Sequence, residues 1–283
     1  MNARRIEETV ARILMYAATF SVLCCLVLIV GTVLVRGLPA LTLDMITHTP
    51  EGGYYIGRGG GVLNAILGSL FLTAGATVIA IVISLPVALY INVYARRGSR
   101  LASLARLALD VLWGVPSIVY GAFGFLLMMA FGMRASMLGG MITVAVLVFP
   151  VMARGMDEVI RMVPHELMEA SYALGATRFE TAFKVVVRQA LPGILSAVLI
   201  AFGRGIGDAA SVLFTAGFTD SLPFSLLEPA ATLPLAIFFQ LGSPLPEVQA
   251  RAYASALILT GLILVISLAV RFLTRRYSRQ TIS

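Results

Sequence analysis

The sequence has few charged residues for its length. Asp, Glu, Lys and Arg make up 12% of the 283 residues, whereas 59% are hydrophobic and the mean hydropathy is +0.94. Soluble domains carry about 25% charged residues, so this composition excludes an ordinary water-soluble domain. It predicts a polytopic membrane protein, since each helix that crosses a bilayer requires about 20 apolar residues in a row.

Reactive and metal-binding side chains are also scarce. The two cysteines, Cys24 and Cys25, are adjacent, which disfavours a disulfide framework. The two histidines, His48 and His165, are far apart, so we predict neither a metal site nor a cofactor site. The single lysine, Lys184, does not follow a glycine, so the chain lacks the P-loop pattern and is not expected to bind ATP by that route.

Apolar segments of spanning length occur six times, which predicts an all-α membrane protein with six transmembrane helices. The predicted spans are residues 14–35, 63–93, 112–133, 137–152, 195–214 and 254–273. Between them, the glycine-rich residues 52–61 are predicted to form an outer loop. The apolar patch 233–241 is too short to cross the membrane and is expected to be a packed or partly re-entrant segment.

The basic residues are distributed asymmetrically. The net charge is +7, and all but five of the 21 lysines and arginines lie on the N-terminal side of the predicted topology. The exceptions are Arg36, Arg58, Arg134 and Arg251 on the other side, and Arg204 inside the fifth span. This is the positive-inside pattern, which predicts that both termini are cytoplasmic. The positive charge therefore reflects topology beside membrane lipid, and no nucleic-acid partner is predicted.

The sequence RLASLARLALDVL precedes the third span and is predicted to be helical. Its polar residues share one helical face and are Arg100, Ser103, Arg106 and Asp110. It is either an interfacial helix or the cytoplasmic start of the third span, which Pro116 bends or restarts.

The loop between the fourth and fifth spans predicts two helices joined at Gly175. A short helix begins near Pro164 and ends at Gly175, the residue best suited to a left-handed cap. Thr177 and Glu180 then form the T-x-x-E pattern of a capping box, which opens a second helix that Leu-Pro at 191–192 closes. Such an elbow is a rigid lever that a partner can hold. The alternative is an amphipathic loop on the bilayer surface.

This loop resembles the E-A-A-x-x-x-G loop of bacterial ABC importer permeases through Glu169-Ala170-Ser171 and Gly175. Ser171 replaces the second alanine of that pattern. The resemblance implies that the elbow inserts into an ATPase subunit and transmits its closure to the membrane helices. The residues implied in this coupling are Glu169, Ala170, Gly175, Thr177 and Arg178.

Further segments resemble the phosphate-specific permeases, and the PstA type more than the PstC type. They include GVPSIVYGAFG, LFTAG and TLPLAIFF, and the resemblance covers most of residues 60–275. It implies a single permease domain over residues 1–283 in the bacterial inner membrane, itself not an enzyme. The implied partners are a dimer of ATPase subunits, a PstC-type permease and a periplasmic phosphate-binding protein.

Two charges lie in the fifth predicted span, in the sequence GRGIGDAAS. Arg204 and Asp208 would each cost about 2.5–3.5 kcal/mol at the bilayer centre, so they should face protein or water. A guanidinium matches an oxyanion, and the phosphate permeases have R-x-x-G-E-T here, which implies a substrate pathway. Alternatively, the two charges neutralise each other, and Gly203 and Gly207 form a G-x-x-x-G step for helix packing.

Three other functions compete with phosphate import. Another oxyanion, such as sulfate or molybdate, would fit the same residues. An ion-coupled anion carrier would explain the charges in the span but not the elbow. The GIGD sequence is also the signature of intramembrane aspartyl proteases, but these need a second nearby aspartate. The only candidate, Asp110, lies at the cytoplasmic edge.

Overall fold

A computed structural model describes residues 2–51, 59–96 and 98–278, and it is helical throughout apart from connecting segments. The glycine-rich stretch 52–61 lies outside the described residues except for its last three glycines. In chain order the helices are α1 (Asn2–Gly37), α2 (Leu43–Thr47), α3 (Leu63–Leu89), α4 (Arg100–Trp113), α5 (Ser117–Ala130), α6 (Met137–Arg161), α7 (His165–Ala173), α8 (Arg178–Glu180), α9 (Val187–Ile206), α10 (Leu233–Leu241) and α11 (Pro246–Ser278).

Five helical segments among the described residues are long and apolar enough to cross a membrane. They are Glu7–Ala40, Leu63–Tyr94, Met137–Arg161, Arg178–Ile206 and Pro246–Phe272. π-helical turns extend α3 to Tyr94 and join α8 to α9 through Thr181–Val186. The fold is therefore an all-α polytopic membrane fold with five spans, or six if a bent helix pair is counted as one more.

That bent pair replaces the third predicted span, 112–133. Helices α4 and α5 meet at an angle of 101°. The break follows from Pro116, which lacks an N–H and disfavours helical backbone at the residue before it. The hydroxyl of Tyr120 donates to the carbonyl of Leu112 across the break (2.7 Å), so one carbonyl freed at the end of α4 is satisfied.

Three other predicted boundaries were wrong. The fourth span continues from the predicted end at 152 to Arg161, because its charged residues pair within the protein. The helix after the elbow does not end at 191–192, since Pro192 lies inside α9. A buried helix tolerates proline when neighbouring segments satisfy the freed backbone groups. The fifth span also ends earlier than predicted, at Ile206 rather than 214.

Helices α3, α6 and α9 form the centre of the bundle through small residues. Added Cβ atoms at Gly155 and Gly193 of the α6–α9 contact would lie 2.9 Å and 2.1 Å from neighbouring side chains. Such close approach is how membrane helices pack without a hydrophobic driving force between them. Helix α1, by contrast, lies outside this core and packs on α11. The most apolar stretch of α1 is 0% buried within the chain.

The short helix α10 confirms the prediction of a packed segment at 233–241. Five of its residues are buried, and Leu233 N–H donates to the hydroxyl of Ser69 on α3 (2.8 Å). At nine residues it is too short to span the bilayer.

Candidate coupling elbow and substrate pathway

The elbow between α7 and α8 has the predicted geometry. Gly175 has φ of 83°, in the left-handed region that favours glycine. Its N–H donates to the carbonyl of Tyr172 (2.9 Å), and Ala176 N–H donates to that of Ser171 (3.2 Å). These two bonds form a Schellman motif, which satisfies the last carbonyls of α7.

The second helix begins with the predicted capping box. The Thr177 hydroxyl accepts from Glu180 N–H (3.2 Å), and the Glu180 carboxylate accepts from Thr177 N–H (3.1 Å). Lys184 adds an i,i+4 ion pair with Glu180 (3.0 Å). Because caps close both sides of Gly175, the direction of the chain through the elbow is fixed.

Two contacts hold the elbow to the bundle. The Ser171 and Thr181 hydroxyls are hydrogen bonded (2.9 Å), and Thr181 is fully buried. Ser171, a departure from the E-A-A pattern, thus links α7 to the helix that follows it. Arg178 donates to the carbonyl of Tyr94 at the end of α3 (3.3 Å). These contacts connect the elbow to the end of α3 and, through Thr181, to the π-helical segment that leads into α9.

The outer surface of the elbow is apolar and exposed. Leu174 is 89% exposed and Phe179 63%, and the ring of Phe179 stacks at 4.7 Å on that of Phe183. Glu169 and Ala170 are also exposed, on α7. The apolar residues of the second helix face in two directions. Ala182 and Val186 are buried against the core, whereas Phe179 and Phe183 project outwards.

Arg204 and Asp208 do not form the pair that the sequence suggested. Helix α9 ends at Ile206, so Asp208 lies in the following turn rather than one helical turn above Arg204. Its carboxylate accepts from Ser211 N–H (2.7 Å) instead. Among the described residues no ion pair joins the two charges. Asp208 therefore accepts an N–H of the turn that follows α9, a role that differs from both the pathway hypothesis and the neutralisation hypothesis.

Arg204 is exposed near the end of α9. It lies twelve residues beyond Pro192, so about 18 Å along the helix at about 1.5 Å per residue. The neighbouring Gly203 has open space where a Cβ would be, so the G-x-x-x-G step packs against no other helix of the described chain.

A buried ionic cluster on α6 is the feature that sequence reasoning missed. The Asp157 side chain is 1% exposed and accepts from Arg106 on α4 through both oxygens (2.9 and 3.0 Å). Asn92 and Arg154 also donate to it (2.8 and 2.9 Å). Arg154 in turn pairs with Asp110 of α4 (2.9 Å).

This cluster had a signal in the sequence. A helical spacing relates four charged residues, Arg154, Asp157, Glu158 and Arg161. The apolar pattern, however, predicts that the fourth span ends at 152, before them. Helix α4 was predicted to be an interfacial helix or the start of the third span, and two residues of its polar face, Arg106 and Asp110, pair with α6. Since α6 leads directly into α7, the cluster holds the base of the elbow.

Comparison with known proteins assigns the family. Residues 80–279 match the family described as "Binding-protein-dependent transport system inner membrane component". The phosphate transport system permease protein PstA of Mycobacterium leprae (strain TN) is 36% identical over 282 residues, covering 97% of this chain and 92% of the relative. PstA of Haemophilus influenzae is 33% identical over 244 residues, covering 86% and 85%.

Solved structures share the fold at lower sequence identity. A chain of the MetNI methionine ABC transporter in an inward-facing conformation superposes with a TM-score of 0.61 at 22% identity, covering 76% of this chain and 95% of that chain. An amino acid ABC transporter chain gives a TM-score of 0.53 at 21% identity.

The fold, the capped elbow and the family match together define a multi-pass inner-membrane permease of the binding-protein-dependent type, which is a transport component and not an enzyme. Within that class, the chain belongs to the PstA family of phosphate transport system permease proteins.

Proposed function

We propose that this chain is the PstA-type membrane subunit of an ATP-driven phosphate importer and forms half of its translocation pathway by alternating access. The observation that carries the proposal is the elbow at Gly175, capped on both sides and tied to α3 by Arg178. A rigid elbow transmits motion to the membrane helices only when a partner subunit moves it. Because the sequence has no P-loop, ATP is hydrolysed on that partner, a dimer of ATPase subunits.

The exposed tip of the elbow is the surface that meets the ATPase. Leu174 and Phe179 protrude at 89% and 63% exposure, and side chains of this kind in water favour burial in a partner's cleft. Glu169 and Ala170 flank them on α7. Closure of the ATPase dimer on ATP would rotate this tip, and the contacts of Ser171 and Arg178 would carry the motion into α9 and α3.

Arg204 is the residue that attracts the anion. Its guanidinium carries a planar fork of donors that suits phosphate, and no carboxylate of the described chain neutralises it. Asp208 acts indirectly, because its hydrogen bond with the Ser211 N–H fixes the turn that follows α9. A cation at this depth is stable only against protein or water, so Arg204 faces the pathway between subunits.

The open side of α9 is where we place the second permease, of the PstC type. A Cβ added at Gly203 would meet nothing within 4 Å, and one added at Gly207 would meet only the carbonyl of Gly203 (3.5 Å). Small residues of this kind allow close approach of a partner helix. A periplasmic phosphate-binding protein would deliver the anion from the opposite end of the bundle. In this arrangement α4 and α5 together are the sixth span, both termini are cytoplasmic, and residues 1–283 are one domain of a bacterial inner-membrane permease.

The deciding experiment is phosphate uptake in cells that lack this chain, with and without its restoration. Uptake of radiolabelled phosphate is measured with sulfate and molybdate as competitors. We expect restored uptake that depends on ATP and that excess sulfate does not block. Rescue of sulfate or molybdate uptake instead would retain the ABC architecture and overturn the substrate. Uptake driven by a proton or sodium gradient would indicate an ion-coupled carrier.

A further inference from the structure

A cavity of 790 Å³ opens at the end of the bundle that carries the elbow. The loop after α3, the first turn of α4, the last turn of α6 and the first turn of α7 enclose it. Its basic and hydroxyl side chains are Arg96, Ser99, Ser103, Arg106, Arg161 and His165. No acidic side chain lines it in the described part of the chain.

Positive charge in this cavity is only partly neutralised. Arg106 is paired with the buried Asp157, whose remaining partners are also cationic or neutral. Arg96 and Arg161 are exposed, and neither forms an ion pair with a described residue. Two arginines without an ion pair to a described residue therefore line one cavity, and a guanidinium presents donors in a fork that matches oxyanion geometry.

The backbone adds further donors. Helices α4 and α7 both begin at the cavity wall, and neither Ser99 nor Pro164 caps its helix with a side chain. Most N–H groups in the first turn of a helix have no helical partner, although in α7 the Leu167 N–H donates to the Pro164 carbonyl (3.3 Å). Both helix dipoles favour negative charge at this point.

The cavity also adjoins a lipid-facing surface. Leu101, Leu104 and Leu107 of α4 are 56%, 61% and 58% exposed on the side away from α6. An exposed apolar side of this kind favours contact with lipid over contact with water. Basic pockets between transmembrane helices on this side bind anionic headgroups.

The geometry points to a binding site for a phosphate group in this cavity, held by Arg96 and Arg161. The group belongs either to an anionic phospholipid of the cytoplasmic leaflet or to inorganic phosphate. It would bridge the start of α4 and the start of α7, and so brace the base of the elbow. The site is distinct from Arg204 and does not depend on which anion the chain transports.

The test compares Arg96→Gln/Arg161→Gln with a control that removes two exposed arginines elsewhere, Arg134→Gln/Arg188→Gln. Purified full-length chain in phosphatidylcholine nanodiscs is titrated calorimetrically with inorganic phosphate at constant ionic strength. In parallel, native mass spectrometry counts phosphatidylglycerol molecules retained from nanodiscs that contain this lipid. Thermal unfolding of each variant confirms that it is folded.

We expect wild type to bind one of the two probes, the cavity variant to lose at least about tenfold in affinity or retention, and the control to behave as wild type. Phosphate binding alone identifies the free ion as the ligand, and lipid retention alone identifies the headgroup. The proposal is overturned if wild type binds neither probe, or if both double variants lose binding equally. Phosphate binding that Arg204→Ala removes and the cavity variant keeps would belong to the pathway and would also overturn it.

Discussion

At the scale of single residues, the two charges in GRGIGDAAS have different tasks. Arg204 lies in the last turn of α9 as an exposed cation, whereas Asp208 accepts a backbone hydrogen bond from Ser211. A lone arginine at this depth is costly unless it meets protein, water or an anion. The residue that looked like the partner of Arg204 instead shapes the turn next to it.

We predict that Arg204→Ala lowers phosphate flux by at least about tenfold, while the ATPase subunits remain bound. A charge-assisted hydrogen bond contributes about 1.5–3 kcal/mol, which corresponds to this range. Arg204→Lys keeps the charge but loses the planar fork, so its flux should lie between the two. Uptake of radiolabelled phosphate and copurification of the ATPase are the readouts. Unchanged flux in the alanine variant would remove Arg204 from the pathway.

Asp157, unlike Arg204, is a buried charge, and its role is structural. Replacing it with alanine leaves Arg106 and Arg154 without their shared carboxylate, and breaking a buried pair costs about 3 kcal/mol. We predict a clear fall in the thermal unfolding midpoint of the purified chain. Glu158→Ala is the matched control, since its carboxylate is 65% exposed and 3.7 Å from Arg154. Equal losses in the two variants would show that the cluster is not what holds α4 to α6.

At the scale of elements, the elbow was predictable from sequence because its signals are local. A positive-φ glycine and a T-x-x-E box depend on a few neighbouring residues, and both appear as expected at Gly175 and Thr177. The span boundaries were less predictable because they depend on tertiary partners. Residues Arg154 and Asp157 lie in α6 past the apolar limit, where they pair with opposite charges on α4 and with each other. Likewise, the unpaired state of Arg204 depends on where α9 ends.

Substitutions at Gly175 test the backbone conformation of the elbow separately from side-chain contacts. A Cβ at Gly175 would meet nothing within 4 Å, so an effect of substitution there comes from the backbone: from its φ of 83° and, with proline, also from loss of the N–H that donates to the Tyr172 carbonyl. Proline fixes φ near −65° and cannot adopt this geometry, whereas asparagine tolerates it. We predict that Gly175→Pro abolishes phosphate uptake while the chain still inserts into the membrane, and that Gly175→Asn retains most uptake.

A matched control separates coupling from general strain. Gly132 also has a positive φ (65°) with nothing within 4 Å, but it lies after α5, at the other end of the bundle. Gly132→Pro should lower stability without uncoupling transport. If Gly132→Pro and Gly175→Pro reduce uptake to the same extent at equal membrane levels, the elbow is not the coupling element.

At the scale of the whole molecule, the bent pair of α4 and α5 decides on which side the elbow lies. Five helices cross by themselves, and an odd number of crossings places the termini on opposite sides. If the pair also crosses, the number is six and the termini share a side. Only in the second case do the N-terminal arginines and the elbow at Gly175 lie in one compartment, as the positive-inside pattern requires.

Cysteine accessibility distinguishes the two topologies. In a chain with Cys24→Ser and Cys25→Ser, single cysteines are introduced by Leu174→Cys at the exposed elbow and by Ser225→Cys in the segment before α10. We predict that a membrane-impermeant maleimide labels the Ser225→Cys chain in intact spheroplasts and labels the Leu174→Cys chain only after permeabilisation. The six-span arrangement requires this pattern, because α9 alone separates the two sites. Labelling of Leu174→Cys from outside would mean that α4 and α5 form a re-entrant loop, and that the elbow cannot meet a cytoplasmic ATPase.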